Sequence, residues 1–471
     1  MKITENTSIC RKQNKDTIIN RGNSVENERH GNGQSDLRMI EKDNTNTNEP
    51  TERMLEKILS RDNMNQAYLK VKRNNGAGGV DNMEIEELLE HLKTHREEIL
   101  ASLLKGSYKP QPVKHVEIPK EKGKTRKLGI PTLTDRVIQQ ATLQILSPIY
   151  EKQFSESSYG FRPNRGCHEA LKRCQEYANQ GYWYVIDMDL EKFFDKVNQS
   201  MLIEILSRTI KDNRVISLIH KFLNAGIMDR GIFIKSEVGV PQGGPISPLL
   251  ANIMLNELDQ NLDKWGYRYV RYADDIMIFT KSKRAGQRQY QRVNKFIEGK
   301  LKLKINKDKT TITTLDKVKY LGYAFYRIKD KWRFKVHPTS IRKLKDKLRV
   351  VTSRSNGMSI EGRKEKLNQI IRGWVQYFKL ADMKAIMKSI DEWLRRRIRM
   401  ITWKRWKKVK TKFENLQKLG VAKQKAWEWA NTRKSYWHIA NSWILTTTLT
   451  NARFEKQGYL SFIKYYLEVR V

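Results

Sequence analysis

The sequence predicts a mixed α+β region followed by an all-α region. Three observations predict it. Up to about residue 335, short alternating apolar runs at 182–190, 267–271 and 276–280 are interleaved with helical periods. After Pro338 the period is almost wholly helical, and strongly basic, to the end. The length, 471 residues, exceeds one compact core, so two or three structural units are expected.

Residues 1–50 contain nine Asn, no Phe, Tyr or Trp and no period, and read as a polar, flexible leader. A helical pattern covers 54–69 and ends near Asn74-Asn75-Gly76; a second covers 82–103. Residues 109–130 look extended, with a hairpin-like turn at Glu121-Lys122-Gly123. Residues 134–150 form a buried helix capped by Thr134 or Asp135. The strand at 182–190 is apolar enough to be central. Residues 200–223 are helical, 231–240 pair as strands, and 248–265 make a long helix. The runs 267–271 and 276–280 flank a tight Asp-Asp turn, a β-hairpin, and a helix follows at 287–301.

Lys and Arg total 91 against 52 Asp and Glu, a formal net charge of +39. A chain this basic repels itself unless a polyanion binds it, and nucleic acid is the commonest such partner. No apolar run reaches the roughly 18 to 20 residues of a spanning helix, and the N-terminus has no apolar signal core, so no membrane partner is expected. The three cysteines, Cys10, Cys167 and Cys174, form no CxxC pair, and a reduced, cytoplasmic protein is expected.

Two acidic clusters carry the chemistry. Val185-Ile186-Asp187-Met188-Asp189-Leu190 places two acids on one face of an otherwise apolar strand. Buried acids need a cation, either Arg, Lys or a metal. Tyr272-Ala273-Asp274-Asp275 places two more at a hairpin tip with apolar flanks. Alone, an Asp-Asp turn is usually a solvated turn. Two acid-bearing apolar strands in one basic chain favour divalent metal.

An ordered set of segments resembles the reverse transcriptases, and within them the branch encoded by bacterial group II introns, in the compact type. Tyr272-Ala273-Asp274-Asp275 resembles the family's YxDD box. Before it come Arg126-Lys127-Leu128-Gly129-Ile130-Pro131 with Asp135-Arg136, then Ser158-Tyr159-Gly160-Phe161-Arg162-Pro163, then 187–195, then Gly239-Val240-Pro241-Gln242-Gly243-Gly244-Pro245. After it come 303–309 and Tyr320-Leu321-Gly322-Tyr323. Order and spacing match over 55–335. Ile371-Arg372-Gly373-Trp374 through 393–397 resembles the thumb or maturase region, and 74–81 the N-terminal extension that lies over the template in the family.

The resemblance implies an α+β right-hand polymerase (fingers and palm with antiparallel sheet) followed by an all-α thumb/maturase region. It implies a leader at 1–50, fingers and palm at 51–335, a thumb at 336–412 and a small helical nucleic-acid-binding region at 413–471. The implied activity is RNA-directed DNA synthesis, with assistance to splicing of the intron RNA and mobility by target-primed reverse transcription. Implied partners are intron RNA, template RNA, a DNA primer or target, and dNTPs. Asp189, Asp274 and Asp275 are implied as the catalytic triad holding two Mg²⁺ ions, with Mn²⁺ able to substitute; Leu190 joins the metal-binding positions. Lys120, Arg126, Phe193, Phe194 and Gln242 are implied at the dNTP, with Phe194 as the steric gate against a 2′-hydroxyl. Lys309 is implied as a general acid, one more surface lysine being the alternative. Leu321 and Gly322 fall at the primer grip. Asp187 reads better as the structural partner of a nearby Lys or Arg.

From 395 to 412, ten of eighteen residues are Lys or Arg and none is acidic. This unmixed run favours phosphate contacts, so Arg395, Arg396, Arg397, Arg399, Lys404 and Arg405 are expected to bind RNA. Eight of the eleven tryptophans lie after residue 370; most are expected in the core, and one or two could stack on unpaired bases. No His/Asn/His nuclease motif follows, so second-strand DNA cleavage by this chain is not expected. A non-enzymatic RNA chaperone would not need the buried acids. A reverse transcriptase serving a defence or spacer-acquisition system would keep them, and genomic neighbourhood distinguishes it. An RNA-copying viral polymerase would more often have Gly where Ala273 stands.

Overall fold

The computed structural model describes residues 53–119 and 125–470. Lys120, the turn at 121–123 and the 1–50 leader lie outside the described residues. The strands are β1 (Val113–Pro119), β2 (Thr125–Ile130), β3 (Tyr184–Asp189), β4 (Ile227–Asp229), β5 (Ile232–Ile234), β6 (Arg268–Tyr272), β7 (Asp275–Thr280), β8 (Thr311–Thr314), β9 (Lys319–Tyr320), β10 (Tyr323–Ile328) and β11 (Lys331–Val336). From Pro338 onward every regular element is a helix. Mixed helix and mainly antiparallel sheet followed by helices is the predicted class. No helix among the described residues is long and apolar enough to cross a membrane.

The chain divides into two compact units, each discontinuous in sequence. The first comprises residues up to 154, 192–258 and 301–303; the second comprises 155–191, 259–300 and 304–471. In the first unit the sheet order is β2-β1-β4-β5, antiparallel except for the parallel pair β1 and β4. Helix Leu133–Glu151 is its buried spine, carrying Leu133, Val137, Ile138, Ala141 and Leu146 inward. Its cap is Thr132, whose hydroxyl accepts from the Asp135 N–H, not Thr134 or Asp135. Asp135 is instead buried inside the first turn, accepting from Tyr108 Oη at 2.8 Å and Thr132 Oγ1 at 2.7 Å.

Three predicted helices divide. The 54–69 pattern breaks at Ser60 into Met54–Leu59 and Arg61–Asn74, and extends past Leu69 to the left-handed Asn75. The 200–223 pattern becomes Gln199–Thr209 and Asn213–Leu223, because Asp212 caps the latter and also accepts the Leu55 N–H at 3.0 Å. Between 82 and 103 the helices are Leu88–Thr94 and Arg96–Leu104. The strand pairing expected over 231–240 falls earlier in the chain: β4 pairs with β5 across the turn at Arg230-Gly231, and 235–240 carry no strand.

In the second unit the sheet order is β6-β7-β3-β8, with β3 interior, as its apolar run predicts. A second sheet, β11-β10-β9, shares one apolar core with the C-terminal helices, including Tyr323, Phe325, Phe334, Trp374 and Phe378. Trp403 is fully buried there, while Trp427 and Trp443 are exposed. The last helix, Phe462–Val469, is tied down by one buried acid. Asp391 accepts from Phe462 N–H at 2.8 Å, Ile463 N–H at 2.9 Å and Ser461 Oγ at 2.6 Å. Replacing it strands three donors, at about 1–3 kcal/mol each before relaxation. Asp391→Ala is therefore expected to lower the unfolding midpoint and to speed amide exchange in 461–469; unchanged exchange there counts against this anchor.

Candidate active site

The turn between β6 and β7 presents Asp274 and Asp275. Its backbone is held from below by a buried ion pair. The Arg271 side chain is fully buried, as is that of Asp259. Arg271 Nε donates to both Asp259 oxygens, at 2.9 and 3.0 Å, and Nη2 donates to Ser158 Oγ at 2.7 Å. Its Nη1 donates to the Ala273 carbonyl at 2.9 Å, inside the turn itself. Ala273 has φ +59°, an uncommon left-handed conformation for a residue with a Cβ. Beside it, a Cβ on Gly160 would stand 2.3 Å from the Ala273 nitrogen. The segment around Gly160 is strapped to β6 by Arg271 N–H to Ser157 O and Tyr159 N–H to Arg271 O, each 2.9 Å. The SYGFRP segment therefore supports the acidic turn through backbone contact. The sequence reading missed Asp259 and Arg271. Arg271 sits one residue before the recognised box, so an arginine on an apolar strand was the available signal.

The register places Asp189 of β3 directly opposite Asp275 of β7, and Asp187 opposite Met277. Asp189 and Asp275 are thus like charges facing each other across a strand pair, which is unfavourable without a cation. The Asp275 carboxyl is pushed up to about 7, by desolvation first and then by Asp274, Asp187 and Asp189, although part of the residue remains open to solvent. Asp187 is pushed up to about 6 by desolvation and by Asp189. No Lys or Arg contacts Asp187 among the described residues, contrary to the expected structural partner. Lys309 Nζ instead pairs with Asp189 Oδ2 at 2.7 Å. Leu190 is buried and faces Ile305 in a bridge whose hydrogen bonds run from Glu191 N–H to Lys304 O and from Asn306 N–H to Asp189 O. Among the described residues no three acidic, His or Cys side chains already converge as a metal cluster. The donor set nevertheless suits a hard divalent ion: crowded carboxylates with one lysine as counter-charge.

The remaining candidates fall in two other places. In the first unit, the 239–245 loop closes on Phe194 and β2. Val240 N–H donates to Phe194 O at 2.7 Å, and Gly129 N–H to Gln242 O at 2.7 Å. A Cβ on Gly243, at φ +132°, would stand 2.2 Å from Gly129 O, so this approach requires glycine. Phe193 is buried, so its side chain serves the core rather than a nucleotide; Phe194 is half-buried and edge-on to it at 5.3 Å. Arg126 lies in β2 opposite Ile118. Arg136, in the same motif, spends its guanidinium on the Pro131 and Ala77 carbonyls. In the second unit, Leu321 and Gly322 have φ +49° and +81°, and are held by Tyr377 Oη to Leu321 O at 2.9 Å and Ser340 Oγ to Gly322 O at 2.9 Å.

The expected RNA-binding set needs correction. Arg395 and Arg399 are buried. Arg395 donates to the Tyr459 and Leu460 carbonyls, and Arg399 to Leu449 O at 2.8 Å and Asn451 Oδ1 at 3.0 Å. They bind this chain's own C-terminal segment. Arg396, Arg397 and Lys404 are half-exposed and Arg405 is exposed.

Residues 118–325 match the family described as reverse transcriptase (RNA-dependent DNA polymerase), and 341–420 match the group II intron, maturase-specific domain. Protein YkfC of Escherichia coli is 36% identical, over 54% of this chain and 77% of that protein. The group II intron-encoded protein LtrA of Lactococcus lactis subsp. cremoris is 34% identical, over 48% of each chain. The chain belongs to the group II intron reverse transcriptase/maturase family. It spans only about half the length of LtrA, and 27% of a putative COX1/OXI3 intron 2 protein of Saccharomyces cerevisiae that is 33% identical to it. A solved partial Cas6-RT-Cas1–Cas2 complex covers 52% of this chain and 42% of that one at 26% identity and a TM-score of 0.35, an overlap too low to bear on the fold. This group II intron protein thus joins an RNA-dependent DNA polymerase domain to a maturase-specific domain.

Two outcomes follow from this geometry. Arg271→Lys keeps a buried cation but loses the fork that spans Asp259 and Ala273 O. It is expected to fold, to bind template-primer normally and to need several-fold more Mg²⁺ for half-maximal DNA synthesis; an unchanged Mg²⁺ requirement removes Arg271 from the positioning role. Asp275→Asn relieves the carboxylate crowding, so in EDTA it is expected to melt a few degrees above the native chain and to gain less from added Mg²⁺. A lower melting temperature in EDTA contradicts the crowding.

Proposed function

We propose that this chain copies RNA into DNA from a primer 3′ end, and that it binds its intron RNA both to assist splicing and to support target-primed mobility. One observation carries the polymerase reading: Asp189 and Asp275 are register partners on adjacent strands, with Asp274 in the adjoining turn and Lys309 as their nearby cation. In a reverse transcriptase family member, that cluster is the place for the chemistry.

Asp189, Asp274 and Asp275, with the main chain at Leu190, would hold two Mg²⁺ ions, or Mn²⁺. Bound there, the ions would lower the pKa of the primer 3′-hydroxyl and offset charge on the leaving pyrophosphate. The chain's own groups do the rest. Lys309, paired with Asp189 and otherwise open to solvent, is placed to give a proton to the departing pyrophosphate. Phe194, backed by Phe193 and the Val240 N–H, forms a fixed wall against a 2′-hydroxyl. Gln242, on a loop pinned by the close approach of Gly243 to Gly129, lies under the nascent base pair, and Arg126 with Lys120 takes the triphosphate. Leu321 and Gly322, in a turn clamped by Tyr377 and Ser340, grip the primer.

In this reading 51–335 are fingers and palm, 336–412 the thumb and maturase region, and 413–471 a small nucleic-acid-binding region. Arg396, Arg397, Lys404 and Arg405 supply phosphate contacts. The chain acts in the bacterial cytoplasm, at the nucleoid when its target is DNA.

The test is primer extension on an RNA template with Mg²⁺ and dNTPs. Native protein is expected to extend the primer, and Asp274→Asn to fall to the no-protein level while RNA affinity stays within about twofold, since no phosphate-binding cation is lost. Extension surviving in Asp274→Asn overturns the metal assignment.

A further inference from the structure

In the second unit, two elements of the maturase-specific segment and one that follows it surround an open cavity of about 520 Å³. They are helix Pro338–Val351 with the loop after it, helix Lys384–Arg405, and the short helix Tyr436–Ile439. The volume is within the range that holds small ligands. Its lining is chemically divided. Arg349, Arg354 and Arg397 supply three guanidiniums, and Tyr436 and Trp437 supply two aromatic rings. Ser353, Ser355 and Ser435 add hydroxyls between them.

Arrangement, and not composition alone, makes this a built site. The loop that carries Arg354 is fixed by Arg363, which donates to Val351 O at 3.0 Å and to Asn356 Oδ1 at 2.7 Å, while Asn356 donates to the Val350 and Val351 carbonyls at 3.0 Å. Lys404 Nζ donates to the Arg354 carbonyl at 3.2 Å. Arg397 is held by Thr352, donating to both its hydroxyl and its carbonyl. The Trp437 indole is fixed by Arg396, which lies 3.9 Å from the ring centroid and donates to the Trp437 carbonyl at 3.0 Å. Arg354 stands over the Tyr436 ring at 5.5 Å.

The charge is uncompensated. Of these cations only Arg349 has an acidic partner among the described residues, the exposed Asp346 one turn away. Arg397 is held below its ordinary value by desolvation and then by Arg349 and Arg354. Like charges converging at a cavity wall store repulsion that a bound anion relieves. Meanwhile Tyr436 and Trp437 remain more than one-third exposed, although they are large rings beside a buried core.

We propose that this cavity binds one unpaired nucleotide of the intron RNA, with its phosphate on Arg349, Arg354 and Arg397 and its base stacked on Tyr436 or Trp437. A fork of guanidiniums suits phosphate, and exposed rings on fixed backbones suit a base without reading its edges. RNA is the favoured strand because three serine hydroxyls line the same cavity and can bond a 2′-hydroxyl. A paired nucleotide does not fit, because its base face is already stacked. The proposal rests on the maturase reading above, to which it adds the subsite and the form of RNA that it takes.

The probe is a short single-stranded oligouridylate carrying one 4-thiouridine, used with the full chain. Irradiation is expected to crosslink it to the peptide containing Tyr436 and Trp437. The double variant Arg354→Gln/Tyr436→Ala changes two exposed side chains. It is expected to lose that crosslink and about tenfold in affinity, and to lower the salt slope by about one phosphate contact. Affinity for a fully paired RNA duplex and extension of a pre-annealed template-primer are expected to stay at native levels. A crosslink elsewhere, an unchanged oligouridylate affinity, or an equal loss for the matching deoxyuridylate strand each overturns the proposal. Because primer extension and duplex binding are read alongside, such a result leaves the polymerase and maturase reading standing, whereas loss of native extension would count against that reading alone.

Discussion

The buried pair of Arg271 and Asp259 is the constraint on which the acidic turn depends. A hairpin tip with two adjacent carboxylates has every electrostatic reason to open. It is kept shut because one guanidinium, paid for in desolvation by Asp259, reaches the carbonyl of Ala273 and the hydroxyl of Ser158 together. Removing one partner of such a pair costs roughly 3–5 kcal/mol, because it leaves the other charge buried and uncompensated. Gly160 completes the clamp sterically, since no side chain fits between it and Ala273. The carboxylates are therefore presented by a support made of this chain's own groups.

The same holds across the sheet. The register alone sets Asp189 against Asp275, in a ladder that pairs all of β3 with β7, and every β7 residue beyond Asp275 is buried. Lys309 tempers the charge on Asp189 from a flexible stem at the surface. It can swing aside at small cost, because a lysine so exposed gives up little on losing one ion pair.

Much of this was legible in the sequence, for particular physical reasons. Strand β3 was readable because five apolar or β-favouring residues surround two acids of the same parity, and parity fixes a face. The hairpin was readable because its apolar runs end abruptly at Asp274-Asp275. Less legible were features that depend on partners far away in sequence. Asp259 shares its helix with two other acids, Glu257 and Asp263, and nothing local marks it as buried. Thr132 caps the Leu133–Glu151 helix because Asp135 is drawn inward by Tyr108, a contact across 27 residues. The break at Asp212 likewise depends on Leu55, 157 residues away.

The basic run at 395–412 shows how composition misleads when helical phase is ignored. Asp391, Arg395 and Arg399 are spaced by four and stack on one face, the face that also carries Leu394 and Ile398 inward. Their charges are consumed by the carbonyls, N–H groups and side chains of 449–463. Arg396 and Arg397 point off that face, and there the guanidiniums meet Trp437 and Thr352 rather than an acid. One helix thus divides its arginines by phase. Those on the inner face replace the hydrogen bonds that the C-terminal segment would otherwise take from water, which is why they are tolerated in a core. Those on the outer face are left with aromatic and hydroxyl neighbours and, among the described residues, no carboxylate, a combination that stabilises the fold less than an ion pair would and keeps positive charge available to a polyanion.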